Sequence, residues 1–552
     1  MKGKKSKRKV KIPDKKGVIL VGNYVYYYTK TFWNKETKHT DDNRVIIGRI
    51  ANEEKTEMYP NDRYGEFFDY EKEEAPDIDS YLKIGPYLAI KKTCERIGLR
   101  DALDTAFPSQ RRNVLALATF AITQSSLTAQ HYRGFSFSYF AGLANSLSSS
   151  YISAIYRDIQ GADKDAFYKK YLEGYKKAFA VSGERKLVVA VDSTNRNTSS
   201  KTMVDAEYGK SKKESRNPQV CTAYYVDEQT GIPVYQETFP GSLLDKTQLS
   251  YMAKKSNDLG FSDIILVLDR GYYSEKNVGA IEDNGFAMPV PETVEYVKAL
   301  FKRHGGIKMQ RANYIRGHNA YGAQIKIGED EDGFLSKYHC YLFFDPVRAM
   351  EEIDSINNKM EAFRKDIGSH RYYSAKLESK YQRYFSFTKI EQGGKKRASF
   401  AFEENAEAVQ EAIDKAGMFL VISNIDDSPG RILSIERYRD RAEKCFQRLK
   451  TSFDCDAIRV YTNEAKEGKD LVAFASVCLY QALLYFLKPY LEAVSSRTLF
   501  TTIACLSKII AYRNKNDEWE LRYALSKEQK EILKLVDLKE DELLDEIREI
   551  MP

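Results

Sequence analysis

The first part of the chain alternates short β-type runs with polar turns and then changes to a helical pattern. The runs GVILVGNYVYYYT and RVIIGRI, separated by the turn-rich KETKHTDDN, predict a small strand-rich module over residues 17–83. Over residues 84–180 apolar side chains recur at three- and four-residue spacing, which predicts a helical region. Ser148, ahead of YISAIYRDI, is a helix N-cap signal, and this polar turn is compatible with a helix-turn-helix.

A different pattern starts near residue 187. The run KLVVAVDST is an apolar strand predicted to end at Asp192, and CTAYYVDEQTGIPVYQETF predicts two strands joined by a turn. A helix follows, then the buried strand DIILVLDRGYYS ending in Asp269, a second helix and the strand FAMPVP. This order predicts an RNase H-like mixed sheet, because a doubly wound dinucleotide fold does not open with an antiparallel hairpin.

Between residues 292 and 430 the core pattern stops, and strand-like pieces around a long charged helix predict an inserted β-rich and helical domain. The core is predicted to resume over 431–490, with a helix from Ile432 to Lys450 and the apolar run Leu471–Leu487. That run is short for a membrane span, so it is interpreted as a buried core helix. The fold class is therefore α/β: an RNase H-like mixed sheet core, 181–291 and 431–490, interrupted by an α+β insertion and followed by a helical region, 491–552.

Composition adds a globular chain with an uneven distribution of charge. With 43% hydrophobic residues in 552, disorder throughout is excluded, and several domains are expected. The net charge of +7 is small for this length, but residues 1–16 alone carry +8, which predicts a basic flexible arm. No apolar stretch suited to secretion follows this arm, so a cytoplasmic protein is expected. The seven cysteines are scattered, which favours buried free thiols over a zinc site or disulfides.

Two aspartates are predicted at the carboxyl ends of apolar strands, where α/β sheets place their ligands. Either Asp192 or Asp269 alone is more often a turn residue. In neighbouring strands of one sheet, however, the two carboxylates would converge on a spot that suits Mg²⁺ or Mn²⁺. The helix ILSIERYRDRAEKCFQRLK offers a third carboxylate, although a solvated charged helix explains the same residues. The candidates are Glu436, Asp440 and Glu443.

The runs LVVAVDST, ILVLDRGYYS and RDRAEKCFQRLK together resemble the three catalytic blocks of the DDE transposases encoded by bacterial insertion sequences, in particular those with a β-rich domain inserted before the catalytic Glu. The third block of that group reads Tyr, two residues, Arg, three residues, Glu, six residues, Lys. Arg439, Glu443 and Lys450 match its last three positions, and Glu436 stands at the Tyr position. The alternative frame, Tyr438 followed by Arg441, fits the first interval and breaks the second.

The resemblance implies catalytic and metal-binding roles for Asp192, Asp269 and Glu443, with Glu436 as the rival third carboxylate. It implies a DNA transposase that binds the terminal inverted repeats of its element and performs strand cleavage and strand transfer with two Mg²⁺ (or Mn²⁺) ions. Residues 17–180, and above all the helical region 84–180, would then bind the DNA ends. A homodimer is expected in the DNA complex, with no membrane partner, and the cytoplasmic protein would associate with the nucleoid when bound to DNA.

Basic residues near the three blocks are the candidate DNA contacts, although solvated surface positions explain each one equally well. These are Arg439, Arg441, Lys444, Arg448, Lys450, Lys210 and Arg270. Tyr272 makes either a phosphate contact or a packing contact. Two other functions stay open: an RNase H-like nuclease that cuts without joining, and a non-catalytic DNA-binding protein derived from a transposase.

Overall fold

The computed structural model of the chain describes twelve stretches of residues, within which two compact units form. The described residues are 9–34, 38–61, 63–68, 81–159, 163–181, 186–209, 217–243, 245–261, 264–390, 398–438, 440–453 and 455–552. The first unit comprises residues 1–80 and 512–518, and the second comprises residues 81–511 and 519–552.

The first unit is built on a five-stranded antiparallel sheet in the order β1-β5-β4-β3-β2. The strands are β1 (Val10–Lys11), β2 (Val18–Val21), β3 (Tyr24–Asn34), β4 (His39–Ile50) and β5 (Glu57–Pro60). Val25, Ile47, Met58 and Tyr64 form its core. Because Val10 pairs with Met58, the strand-rich module begins before residue 17, and part of the predicted flexible arm belongs to the sheet. Residues 1–8 lie outside the described residues.

A helical region opens the second unit. Its elements are β6 (Tyr81–Lys83), α1 (Gly85–Arg96), α2 (Leu99–Ala106), α3 (Arg111–Gln124), α4 (Ala129–Ser136), α5 (Ser149–Asp158) and α6 (Asp163–Ala178). The predicted N-cap is confirmed, since the Ser148 hydroxyl accepts a hydrogen bond from the Tyr151 amide at 3.2 Å. The helix-turn-helix interpretation is wrong: residues 137–148 separate α4 from α5, whereas that motif uses a turn of three or four residues.

The next segment forms the centre of the large sheet. Its elements are β7 (Leu187–Thr198), β8 (Gln219–Asp227), β9 (Pro233–Pro240), α7 (Asp245–Asp258), β10 (Ile264–Leu268), α8 (Glu275–Gly279) and β11 (Gly285–Val290). β7, β8 and β9 are antiparallel neighbours, whereas β10 is parallel to both β7 and β11. The mixed α/β class is thus confirmed. Strand β7 runs past Asp192, because its pairing with β8 continues to Asn197 and Gln219.

The segment predicted as an inserted domain is only partly separate from this sheet. Its elements are α9 (Glu295–Arg303), β12 (Tyr314–Ile315), β13 (Ala320–Ile325), β14 (His339–Phe344), α10 (Pro346–Ser369), α11 (Ala375–Tyr381), β15 (Phe385–Ile390), β16 (Ser399–Glu404), α12 (Ala406–Lys415) and β17 (Met418–Ser423). β17 pairs with β11 and extends the sheet through β14 and β13 to β12. The remaining elements, from α10 to α12, enclose a small core of their own around Met360 and Phe385.

The last part of the chain returns to the sheet and adds the longest core helix. Its elements are α13 (Pro429–Arg437), α14 (Asp440–Gln447), a π-helical turn (Arg448–Ser452), β18 (Ala457–Ile458), α15 (Asn463–Phe486), α16 (Lys488–Glu492), α17 (Leu499–Leu506), β19 (Ile510–Arg513), β20 (Trp519–Leu521), α18 (Lys527–Leu535) and α19 (Asp545–Ile550). The predicted single helix from Ile432 to Lys450 is therefore two helices and a π-helical turn. The strands β19 and β20 are additions to a region predicted as helical.

Helix α15 is the one described helix long and apolar enough to cross a membrane, and 78% of its apolar window is buried inside the protein. It packs against α5 and α3, and its apolar side chains belong to the main hydrophobic core. This agrees with the interpretation of Leu471–Leu487 as a core helix. The prediction for the cysteines is also confirmed, since all seven are buried and free.

Candidate active site

Asp192 and Asp269 lie at matching positions on neighbouring parallel strands. Val191 of β7 and Leu268 of β10 are paired in register, so the two aspartates are the next residues on each strand. Asp269 keeps an extended backbone, with φ −78° and ψ 154°, and it therefore continues the course of β10. Parallel neighbours are about 4.8 Å apart and paired residues share a face, so both side chains lie on one face of the sheet.

Each of these carboxylates is held by the peptide group that follows it. Oδ1 of Asp192 accepts a hydrogen bond from the Ser193 amide at 2.7 Å, and Oδ1 of Asp269 accepts one from the Arg270 amide at 2.8 Å. Both aspartates are partly buried. Oxygen ligands of this kind, partly shielded and fixed by the backbone, suit a hard divalent cation.

Helix α14 covers the face of the sheet that carries Asp192. Tyr224 of β8 is the cross-strand partner of Asp192, and the Phe446 ring stacks on the Tyr224 ring with centroids 4.9 Å apart. Ala442 and Cys445 are fully buried on the same side of the helix. Glu443 comes directly after Ala442 and is exposed, so it lies at the border between the packed side of α14 and solvent.

Glu436 lies on a different helix from Glu443. The expectation that the two share one helical face is wrong, because the segment is divided into α13 and α14. Arg437 anchors α13 to the inserted segment through an ion pair with Asp345 at 2.6 Å and a hydrogen bond to the His318 carbonyl at 2.7 Å. Tyr438 ends α13, where its amide donates to the Ile435 carbonyl. Glu436 and Tyr438 therefore belong to an element packed on β11 and β13, while α14 packs on β7 and β8.

The predicted DNA contacts lie in different surroundings. Lys444 and Arg270 are exposed, Lys450 is partly buried in the π-helical turn, and the Arg448 guanidinium lies 5.1 Å from the centre of the Tyr480 ring. Tyr272 is 1% exposed, and its carbonyl accepts a hydrogen bond from Asn277, which favours a packing role. Arg439, the side chain of Arg441 and Lys210 lie outside the described residues.

An ion pair beside the aspartates was missed by sequence reasoning. Arg196, on the same strand and face as Asp192, pairs with Asp470 of α15 at 2.8 Å, and both side chains are almost fully buried. The Arg196 guanidinium also donates to the Thr222 hydroxyl. Burial by itself lowers the pKa of Arg196, but the Asp470 charge and hydrogen bond raise that pKa above its ordinary value. An arginine inside an otherwise apolar strand was the available signal.

The three predicted metal ligands supply carboxylate oxygens only, which fits Mg²⁺ or Mn²⁺ and no softer ion. Asp192 and Asp269 share a face, and Glu443 is carried by the helix that covers it. Across the described stretches of the chain, no three or more His, Cys, Asp or Glu side chains form a group that could hold a metal ion. The donor chemistry therefore fits the ions, and the two aspartates are the part of the site that the sheet places together.

Comparisons with known proteins give one family. The sequence model described as "Transposase DDE domain" matches residues 183–479, more than half of the chain, a range that includes both aspartates and Glu443. No curated protein sequence matches the chain. Among solved structures, the chain is similar to the cryo-EM structure of the piggyBac transposase synaptic complex with hairpin DNA, with a TM-score of 0.38 and 9% identity. That similarity covers 85% of this chain and 86% of the other.

Proposed function

Because this chain belongs to the transposase DDE-domain family, we propose that it is the DNA transposase of a bacterial insertion sequence. It binds the terminal inverted repeats of its element and catalyses strand cleavage and strand transfer. The observation that carries this proposal is the placement of Asp192 and Asp269 side by side on β7 and β10. The sheet order β9-β8-β7-β10-β11, with an antiparallel hairpin followed by parallel strands, supports an RNase H-like core beneath them.

Asp192, Asp269 and Glu443 would hold two Mg²⁺ or Mn²⁺ ions. When bound, such ions activate the attacking water or 3′-hydroxyl and stabilise the leaving oxygen of the phosphodiester. The chain itself holds the two aspartates at a fixed separation, since their strands are paired in register and each carboxylate is tied to the next amide. No serine or tyrosine nucleophile is required by this chemistry.

Cations around the three carboxylates would bind the phosphates on either side of the reacting bond. Lys444 and Arg270 are exposed for this role, and Lys450 and Arg448 border the same helix. Arg439, Arg441 and Lys210 complete the proposed DNA surface. Residues 17–180 would bind the ends of the element, and two copies of the chain would hold two ends together in the DNA complex.

The test uses DNA that flanks the coding region, with the full chain and Mg²⁺. We expect Asp192→Asn and Asp269→Asn each to reduce cleavage by roughly a hundredfold or more, because each removes a charged ligand from the ions. End binding should change little. Glu443→Gln should behave like the aspartate variants, whereas Glu436→Gln should keep most of the activity. Glu275→Gln is the matched control, since Glu275 is an exposed carboxylate six residues after Asp269.

Cleavage at wild-type rate by Asp192→Asn would contradict the site assignment. Joining is tested separately with pre-cut ends, because a 3′-end covalently joined to target DNA is incompatible with simple hydrolysis. If the chain cuts these ends but never joins them, it is a nuclease instead of a transposase.

A further inference from the structure

The outward face of the small five-stranded sheet carries four tyrosines. Tyr24, Tyr26 and Tyr28 alternate along β3, whereas the residues between them point into the core of this unit. Val25 is completely buried, and the Tyr27 ring lies 5.3 Å from Phe67 and 5.2 Å from Phe68. The other face of β3 therefore serves the core, and the three alternating tyrosines are not needed for it.

The neighbouring strands continue this aromatic surface and add arginines to it. Arg49 of β4 is the cross-strand partner of both Tyr24 and Tyr59, and Arg44 is the partner of Tyr28. Directly paired residues share a face of a sheet. We call the resulting surface, formed by Tyr24, Tyr26, Tyr28, Tyr59, Arg44 and Arg49, the tyrosine face.

The tyrosine face is accessible and positively charged. Tyr24 is 46% exposed, Ile46 beside Tyr26 is 39% exposed, and both arginines are exposed. The Arg44 guanidinium lies 5.8 Å from the centre of the Tyr26 ring. Glu57, the acid at the edge of this surface, is paired with Lys9 at 3.7 Å. The strongly basic residues 1–16 lead into β1 of the same sheet.

We propose that the tyrosine face binds single-stranded nucleic acid. Unpaired bases stack on aromatic rings whatever their sequence, and arginines between the rings bind the phosphates. A duplex hides the faces of its bases, so it cannot use a row of tyrosines in this way. A protein partner would not require cations in register with the rings. The combination of aromatic rings and guanidinium groups thus favours a nucleic acid with exposed bases.

This inference deepens the proposed function and rests on it only for the source of the strand. Unpaired DNA at the ends of the element is one source, and RNA is the other. Binding to the tyrosine face does not require the catalytic carboxylates. A catalytically inactive chain can therefore be used, and failure of this inference is distinguishable from failure of the proposed function.

The experiment measures fluorescence anisotropy of the full-length chain carrying Asp192→Asn. The probes are labelled oligo-dT, oligo-U and a mixed-sequence duplex, each of about 20 nucleotides or base pairs, long enough to span one site. Tyr24→Ala combined with Tyr26→Ala should weaken binding of single strands by about tenfold or more, because each stacked base contributes substantially. Binding of the duplex should change by less than about twofold. Tighter binding of dT or of U supports the proposal in either case and identifies the source.

The matched control is Tyr372→Ala in the inserted segment. Tyr372 is 37% exposed and has the Arg371 guanidinium 5.6 Å from its ring centre, so its surroundings resemble those of Tyr26. This variant should bind single strands normally. A second variant, Arg44→Gln with Arg49→Gln, should lower the dependence of binding on salt by about 0.7 per lost phosphate contact.

The proposal is overturned if the wild-type residues bind no single strand, if the Tyr24 and Tyr26 variant loses duplex and single strand equally, or if Tyr372→Ala causes the same loss. Thermal unfolding of each variant shows whether the small sheet is intact. If the tyrosine variant is unfolded, the arginine variant decides the question, because its exposed side chains are not part of the core.

Discussion

At the scale of single residues, the buried pair of Arg196 and Asp470 joins the strand of Asp192 to helix α15. Its side chains are 3% and 5% exposed, so each charge depends on the other. We expect Asp470→Asn to lower the free energy of unfolding by about 3–5 kcal/mol, because it leaves the Arg196 charge buried without a counter-ion. Urea unfolding measures this. The double variant Arg196→Met with Asp470→Leu should recover most of the loss.

An exposed ion pair provides the control for this prediction. Lys488 and Glu492 lie 3.8 Å apart on the surface of α16, with side chains 65% and 68% exposed. Glu492→Gln should cost no more than about 1 kcal/mol, since solvent screens the pair. A cost for Asp470→Asn that is as small as this would mean that the Arg196 charge does not depend on Asp470.

The same residues show how far a sequence can predict a site. Asp192 and Asp269 follow apolar runs, and the strand order alone predicts that they are neighbours. The pairing of Arg196 with Asp470 joins residues that are far apart in the sequence and leaves no local pattern. The choice between Glu436 and Glu443 depended on assuming one continuous helix, and the interruption between α13 and α14 removed that assumption.

At the scale of elements, apolar patterning predicted most strands of the sheet but not which of them pair. β14 and β17 were recognised as strand-like pieces, yet their place beside β11 depends on contacts across the chain. The predicted N-cap at Ser148 was confirmed because a cap depends on neighbouring residues. The turn length of a helix-turn-helix was not, because periodicity locates helices better than it measures the loops between them.

The contact between α5 and α15 requires a glycine. A Cβ added at Gly468 would collide with the carbonyl oxygen of Tyr156. We expect Gly468→Ala to destabilise the protein by about 1–3 kcal/mol, because the two helices must move apart in a packed core. Gly368→Ala is the control. A Cβ at that position of α10 meets nothing within 4 Å, so the change should be neutral or stabilising by up to about 1 kcal/mol.

Thermal unfolding of both variants tests this close approach. Similar behaviour of the two glycine variants would contradict it. The comparison is informative because alanine is the better helix former at both positions. Only the space available to the methyl group differs between them.

At the scale of the whole molecule, function depends on where charge lies more than on its total. The net charge of +7 combines the +8 of residues 1–16 with the −6 of residues 517–552. The segment 431–450, which carries α13 and α14, has seven basic residues and three acids. A chain with this total would be unremarkable if its charges were evenly mixed, whereas a basic arm and a basic segment at the candidate site provide two separate surfaces for a polyanion.

The basic arm can be tested without disturbing the sheet that follows it. Deleting residues 2–8 removes five cations and keeps Lys9, which pairs with Glu57, together with strand β1. We expect weaker binding to duplex DNA of any sequence and a salt dependence reduced by up to about 4, because each phosphate contact contributes about 0.9. Replacing the same five residues with Gln should have an equal effect, since charge and not chain length is responsible. An unchanged salt dependence in both variants would place the phosphate contacts elsewhere, on the segment around Glu443.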